Sequence, residues 1–232
     1  MELPQYYRPE PGMQPEYRHE AYVSTRSRSP SQPLIELPQT LSEVTGPLIP
    51  PQLIKAGDND LTAHGNGQPI GPRIIVSGRV TDQNGRPVKN TLIEIWQPNS
   101  AGRYYHRRDS WDAPLDPNFL GEGRTLTDQD GRYQFITIRP GAYPWSNHHN
   151  AWRPVHIHFS LFGKAYATRL ITQMYFPGDE MLALDPIFNS TADEKARQTL
   201  ISKFDWDNTR PNWAQAFRFD IVLRGRDSTP WE

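Results

Sequence analysis

A six-residue phrase occurs twice in this chain, and it constrains the fold more than any other feature of the sequence. Residues 81–86 read Thr-Asp-Gln-Asn-Gly-Arg, and residues 127–132 read Thr-Asp-Gln-Asp-Gly-Arg. Asn-Gly and Asp-Gly pairs are typical of tight turns between strands. We therefore interpret both copies as tight turns. The first predicts a hairpin between a strand that reaches Val80 and a strand over residues 91–96.

Several other short segments alternate between apolar and polar residues, which is the pattern of half-buried strands. In residues 217–223 the apolar side chains share one face, while Arg218 and Asp220 lie on the other. The predicted strands cover residues 74–80, 91–96, 133–138, 155–159, 168–174 and 217–223.

One helix is predicted after residue 191. Thr191 and Glu194 have the spacing of a capping box, which begins many helices. Ala196, Leu200 and Phe204 then repeat at helical spacing. Many strands, turn signals and a length of 232 residues predict a mostly β protein. Its fold class is a β-sandwich core with one or few short helices and an extended N-terminal arm.

The beginning of the chain differs in composition from the rest. Ten of the 23 prolines lie within the first 51 residues, and proline removes amide donors and disfavours helix before it. We predict an extended proline-rich arm over residues 1–55 and a β-sandwich domain over residues 56–232. Aromatic residues such as Tyr17 and Tyr22 favour an arm that lies along a partner subunit, with disorder as the alternative.

Charge and composition exclude several classes of protein. The formal net charge is −1 and no basic stripe is present, which argues against nucleic acid and anionic membrane as partners. The chain has no cysteine, so thiolate metal sites and disulfides are excluded. The first residues lack the pattern of a secretory signal, and no apolar run approaches the length of a membrane span. We therefore expect a cytoplasmic protein.

His156 and His158 are the strongest candidates for a functional site. Alternate side chains of a strand project from the same face, so the two imidazoles can converge on one ion while Ile157 enters the core. Two histidines on an apolar strand are costly to bury without a partner. The pair therefore predicts a metal site.

The other ligands decide which metal is bound. A zinc site needs a third histidine, and candidates exist at His106, His148 and His149. The facial triad of ferrous iron needs a carboxylate, but residues 160–163 supply none. Tyrosine is the remaining oxygen donor, and two phenolates suit a hard trivalent ion such as Fe(III) better than zinc.

Longer phrases around the two histidines resemble the intradiol ring-cleaving dioxygenases. They occur in order, at spacing similar to that of the family, over most of the chain from about Leu41 to Gly225. The phrases are Gly102-Arg103-Tyr104, LDPNF at 115–119, Tyr143-Pro144-Trp145, WRPVHIHF at 152–159, TQMYF at 172–176 and FRFDIVLRG at 217–225.

This resemblance implies a β-sandwich catalytic domain that carries one non-haem Fe(III) per chain. Tyr104 and His156 would be equatorial ligands, and Tyr143 and His158 axial ligands. Arg153 would stabilise charge beside the substrate, and Tyr143 would accept a substrate proton. The remaining substrate-binding residues that the resemblance implies are Tyr17, Trp145, Gln173 and Ile187.

The resemblance also implies an activity and a partner. The expected reaction is intradiol cleavage of protocatechuate by dioxygen to 3-carboxy-cis,cis-muconate, within the β-ketoadipate pathway of aromatic catabolism. The expected partner is a homologous α subunit, a separate chain in a hetero-oligomer. Catechol or hydroxyquinol cleavage, a zinc or copper enzyme and a non-catalytic sandwich module are the alternatives. Departures from the family pattern, which bear on substrate preference, stand at Ala142, Ser146, Val155 and Tyr105.

Overall fold

The computed structural model describes residues 10–35, 54–162 and 169–232. Its strands are β1 (Arg73–Thr81), β2 (Leu92–Trp96), β3 (Glu122–Leu126), β4 (Arg132–Ile138), β5 (Tyr143–Trp145), β6 (Ala151–Arg153), β7 (His156–Phe162), β8 (Leu170–Tyr175), β9 (Lys203–Phe204), β10 (Gln215–Arg218) and β11 (Ile221–Val222). Its helices are α1 (Thr25–Arg28), α2 (Pro186–Asn189) and α3 (Glu194–Thr199), with 3₁₀ turns at Leu61–Ala63 and Glu180–Ala183. Within these ranges no helix is both long enough and apolar enough to cross a membrane.

Two sheets form the body of the protein. In the first, β1 pairs antiparallel with β4 and parallel with both β10 and β11, and β9 extends the sheet beyond β10. The second sheet has the order β3-β2-β7-β8, and every pair in it is antiparallel. β5 and β6 form a separate two-stranded ribbon. The predicted mostly β sandwich with few short helices is confirmed.

Apolar side chains from both sheets form one core. Val76 and Phe135 come from the first sheet, Ile93 and Phe159 come from the second, and all four are fully buried. The rings of Phe135 and Phe159 meet edge to face, with centroids 6.4 Å apart. Burial of each such side chain contributes about 1.5–3 kcal/mol relative to an exposed position, so this core fixes how β7 is placed.

The two copies of the repeated phrase are tight turns, as predicted. The amides of Gly85 and Gly131 donate to Asp82 and Asp128 at 3.0 and 3.1 Å, and both glycines have a φ of +74°. The predicted hairpin is wrong, however, because β1 and β2 belong to different sheets. Each copy lies where the chain passes from one sheet to the other. Turn chemistry fixes the local reversal, but packing of the following strand selects the sheet.

The predicted capping box is also wrong. Helix α3 begins two residues after Ala192, and its N-cap is Asp193, whose side chain accepts from the Ala196 amide at 2.7 Å. The helix ends at Thr199, and Phe204 lies in β9, where its ring packs on Phe217. A six-residue helix cannot carry the three-turn repeat that the spacing predicted.

The predicted strand over 217–223 is observed as two short strands, β10 and β11. Between them, Asp220 Oδ1 accepts from the Arg79 amide at 3.0 Å, so a side chain replaces a backbone partner in the ladder. The predicted faces are confirmed: Phe217, Phe219 and Ile221 are buried, and the two polar residues between them are exposed. The predicted strand over 168–174 is β8, and Thr168 lies outside the described residues.

Residues 10–35 of the predicted arm pack against this chain's own sandwich. The Val23 amide donates to Asn147 Oδ1 at 2.8 Å, and Asn147 Nδ2 donates to the Ala21 carbonyl at 2.8 Å. This part of the arm contains turns and α1, so it is not continuously extended. Residues 1–9 and 36–53 lie outside the described ranges. A location along a partner subunit stays a prediction.

Candidate metal centre

Strand β7 holds the two histidines of the site. Ile157 and Phe159 point into the core and are fully buried, so His156 and His158 project together from the opposite face. β7 is paired on both sides, with β2 and β8, which fixes the direction of both imidazoles. The ring of Trp96 on β2 stacks on His158, with centroids 4.7 Å apart and planes 3° apart.

The two tyrosines come from separate segments that Gly102 brings together. This glycine has a φ of +81°, and a Cβ atom there would lie 2.1 Å from the carbonyl oxygen of Ala142. Only glycine allows this close approach. Tyr104 lies in the loop that follows Gly102, and its backbone amide donates to Asp109 Oδ2 at 2.8 Å. Tyr143 is the first residue of β5. The two rings meet edge to face at 5.3 Å.

The four side chains direct their donor atoms at one another. Tyr104 Oη lies 3.3 Å from Tyr143 Oη, and Tyr143 Oη lies 3.2 Å from His156 Nε2. His156 Nε2 lies 3.2 Å from His158 Nε2, which in turn lies 3.2 Å from Tyr104 Oη. Two oxygens and two nitrogens thus surround a common point, and each is close enough to its neighbours to share one ion.

The other ring nitrogen of each histidine already has a partner. His156 Nδ1 lies 2.7 Å from the carbonyl oxygen of Pro154, and His158 Nδ1 lies 2.9 Å from a carboxylate oxygen of Glu232. Both partners are acceptors, so both Nδ1 atoms carry the proton and both Nε2 lone pairs face the cluster. This second contact is typical of metal-binding histidines.

Burial sets the electrostatics of the cluster. Burial lowers the pKa of His156 well below its ordinary value, with the nearby Arg153 as a further cause, so the ring is neutral. Burial also raises the pKa of Tyr104 and that of Tyr143. In the field of the protein alone both phenols are protonated. A cation bound at the common point would supply the charge that makes their ionisation favourable.

The donor set does not suit a site made of histidine and carboxylate. Among the described residues, no group of three or more histidine, aspartate or glutamate side chains is placed to hold a metal ion. His106, His148 and His149, which sequence reasoning kept open as a third zinc ligand, therefore do not complete such a group with His156 and His158. Any ion at this centre depends on the phenol oxygens.

Arg153 lies on β6 directly opposite Tyr143 on β5. It is buried, its Nε donates to Asp185 Oδ1 at 3.1 Å, and its Nη2 donates to Gln173 Oε1. Burial lowers the pKa of the guanidinium, but Tyr175 and Asp185 more than offset this, so its pKa lies above the ordinary value. The group is a fixed positive charge beside the tyrosine cluster.

Three of the other predicted substrate-binding residues lie near Arg153 or its partner Asp185, and the fourth, Tyr17, lies on the arm. Trp145 faces the guanidinium of Arg153 at 5.2 Å, and Gln173 pairs with His158 across β7 and β8. Ile187 is buried on α2, a helix that Asp185 caps. Tyr17 is instead 53% exposed and stacks on Trp231, with centroids 5.9 Å apart.

Sequence reasoning missed several residues that the fold brings to this site. Glu232 is 74 residues from His158 in the chain, and Asp185 is 32 residues from Arg153. Tyr22 of the arm contacts the Trp145 ring at 5.6 Å. No local spacing signals any of these contacts, since each depends on how distant segments pack.

Comparison with known proteins gives matches over most of the chain. The family model described as "Dioxygenase" matches residues 44–225, and the model "Protocatechuate 3,4-dioxygenase beta subunit N terminal" matches residues 7–40. The chain is 56% identical over 220 residues to the protocatechuate 3,4-dioxygenase beta chain of Burkholderia cepacia, covering 94% of this chain and 93% of the relative.

More distant relatives agree with these matches. The protocatechuate 3,4-dioxygenase alpha chain of Pseudomonas putida is 29% identical, covering 85% of this chain and 97% of the relative. The crystal structure of 3-chlorocatechol 1,2-dioxygenase from Rhodococcus opacus 1CP has the same fold, with a TM-score of 0.56 at 23% identity, covering 78% of this chain and 71% of that chain. This chain belongs to the intradiol ring-cleaving dioxygenases, a family of oxidoreductases that use non-haem iron.

Proposed function

We propose that this chain is the iron-carrying subunit of a protocatechuate 3,4-dioxygenase. One ferric ion per chain is held by Tyr104, Tyr143, His156 and His158. The observation that carries this proposal is the convergence of four donor atoms at 3.2–3.3 Å, with both histidine Nδ1 atoms already engaged elsewhere. The relative with 56% identity carries the same activity in its name.

The chemistry of the donor set favours ferric iron. Two phenolates are hard anionic ligands, and two neutral imidazoles complete a set with a charge of −2. When bound, ferric iron acts as a Lewis acid that binds and activates the two hydroxyl oxygens of the aromatic diol. Both tyrosines are half-buried, and desolvation of their hydroxyl groups strengthens their attraction to such an ion, because little water competes with it.

Two residues of this chain have further roles in the reaction. Tyr143 Oη accepts a proton from the incoming diol, and its place at the start of the β5–β6 ribbon puts it next to Arg153. Arg153 stabilises negative charge that develops in the ring. Asp185 and Gln173 hold the guanidinium in one orientation before substrate arrives. Removal of a preorganised charge partner of this kind costs on the order of 100-fold or more in rate.

The substrate carboxylate needs a partner, because burial of an unpaired charge costs several kcal/mol. A cavity of about 380 Å³ lies between the arm and residues 231–232, and its lining includes Tyr17, Tyr22 and Arg28. Glu232 lines this cavity and also contacts His158, so the cavity adjoins the metal cluster. Tyr17 is the candidate hydrogen-bond donor. Arg28 supplies a positive charge within the chain, in addition to any arginine of the partner subunit.

The substrate ring itself fits beside Trp145. The indole Nε1 of Trp145 is buried and has no hydrogen-bond partner among the described residues, which leaves a donor available to a ligand. The ring also faces Arg153 and contacts Tyr22 of the arm. Ile187 and Gln173, which are both buried, are the remaining proposed contacts of the substrate.

The proposed assembly is a hetero-oligomer with a homologous α chain. One relative is itself named as an alpha chain, and it aligns over 85% of this sequence. The arm is the candidate contact with that partner. The two chains together would enclose the substrate pocket.

Co-expression of this chain with a homologous α chain tests the proposal. The purified complex should be red-brown, contain one iron per copy of this chain, and consume dioxygen with protocatechuate. A colourless protein with stoichiometric zinc would falsify the metal assignment. Catechol and hydroxyquinol, assayed under the same conditions, are the control substrates, and a higher specificity constant for either one would assign the chain to a neighbouring branch.

A further inference from the structure

The carboxylate of Glu232 contacts His158 of the proposed metal site, although the two residues are 74 positions apart in the chain. Its Oε2 atom lies 2.9 Å from His158 Nδ1, and the side chains of the pair are only 20% and 9% exposed. His156 Nδ1 instead contacts the carbonyl oxygen of Pro154, which lies two residues before it in the connection between β6 and β7. The two histidines are therefore oriented in different ways, one by adjacent backbone and one by a remote acid.

Residues 228–232, called here the tail segment, are held against β8. The Glu232 amide donates to the Ile171 carbonyl at 2.9 Å, and Thr172 Oγ1 donates to the Pro230 carbonyl at 2.7 Å. β8 pairs with β7, and Ile171 lies two residues from the partner of His158. The tail segment thus has a defined position relative to the histidine that Glu232 contacts.

The arm fixes the tail segment from the other side. Gln14 Nε2 donates to Ser228 Oγ at 2.9 Å, and Gln14 Oε1 accepts from the Trp231 amide at 2.9 Å. The ring of Tyr17 stacks on Trp231. One glutamine side chain therefore bridges two points of the tail segment, and the residue next to Glu232 is held by the arm.

We propose that Glu232 is a positioning residue for His158, and that the arm supports it through Gln14. The carboxylate accepts the Nδ1 proton, fixes the tautomer and the ring orientation, and makes Nε2 a stronger ligand. This inference rests on the proposed iron site. Second contacts of this kind contribute about 10- to 100-fold to metal affinity. The tail segment and the arm thereby contribute to metal binding without supplying a ligand.

Iron affinity of the full-length chain, purified with its α partner, is the test. Ferric iron is titrated against a chelator into metal-free protein, and the visible absorption band is followed. Glu232→Ala should weaken iron binding about 10- to 100-fold. Glu232→Gln keeps an acceptor oxygen, so its iron affinity should lie between that of Glu232→Ala and that of the unchanged protein. Glu180→Ala, at an exposed glutamate of a 3₁₀ turn, is the matched control and should leave the affinity unchanged.

A double-mutant cycle tests the role of the arm. Gln14→Ala should weaken iron binding by a smaller factor, and it should have no further effect once Glu232 is alanine. Thermal melting of the metal-free variants shows whether the fold is intact. Unchanged iron affinity in Glu232→Ala, with a coloured unsubstituted protein, overturns the positioning role alone. A colourless unsubstituted protein that binds no ferric iron overturns the proposed function and this inference together.

Discussion

Asp185 is the residue whose replacement most directly tests the organisation of the site. It is fully buried, and its carboxylate accepts hydrogen bonds from Arg153 at 3.1 Å and from the Tyr175 hydroxyl at 3.1 Å. It also caps α2, because its oxygens accept from the amides of Ile187 and Phe188. Asp185→Asn keeps the shape and one acceptor, but it removes the charge opposite a buried guanidinium.

The expected cost of Asp185→Asn follows from burial of the pair. An uncompensated charge left after loss of a buried partner costs about 3–5 kcal/mol. For a chain of this size each kcal/mol corresponds to roughly 2–4 °C, so the melting temperature should fall by roughly 6–20 °C. Asp130→Asn removes the partner of Arg132 in a pair that is 61% and 69% exposed, and it should cost about 0–1 kcal/mol.

Thermal unfolding followed by circular dichroism measures both variants. A third variant, Arg153→Met combined with Asp185→Asn, removes the buried charge altogether. It should melt at a higher temperature than Asp185→Asn alone, because no guanidinium is left without a partner. If Asp185→Asn melts within about 2 °C of the unchanged protein, the reasoning from the buried ion pair is refuted.

Four further predictions follow from the site and the fold. Tyr143→Phe should shift the visible absorption band without abolishing it, because in the proposed iron site Tyr104 would still supply one phenolate; an unchanged spectrum would argue against Tyr143 as a ligand. Tyr17→Phe should weaken binding of protocatechuate more than binding of catechol in steady-state kinetics, and equal effects would remove Tyr17 from carboxylate recognition. Deletion of residues 1–40 should lower activity, and a fully active monomer would contradict the role of the arm. Gly78→Ala should destabilise the fold by about 1–3 kcal/mol in urea unfolding, because a Cβ atom there would lie 1.9 Å from the Phe219 carbonyl oxygen, whereas an unaffected midpoint would contradict this packing.

The sequence alone was sufficient for the fold class, and it led to the four side chains whose donor atoms the structure brings together. Alternation along a strand is a local property, so His156-Ile157-His158 already placed two imidazoles on one face. Tight turns at residues 81–86 and 127–132 were equally local, since an Asp-Gln-x-Gly phrase adopts its conformation without help from distant residues. Tyr104 and Tyr143 came from the resemblance to a family, because nothing in their own neighbourhood marks a loop tyrosine as a ligand.

Tertiary structure decided everything that depends on which segments meet. The hairpin prediction was wrong because a turn does not specify the sheet that the next strand joins, and β2 is placed by its pairing with β3 and β7. Asp193 caps α3 in place of Thr191 because packing sets the first residue of the helix, and that residue is Glu194. Glu232 reaches His158 only because the tail segment is hydrogen-bonded to β8. Such long-range contacts form when the whole core is buried, so no short sequence window carries their signal.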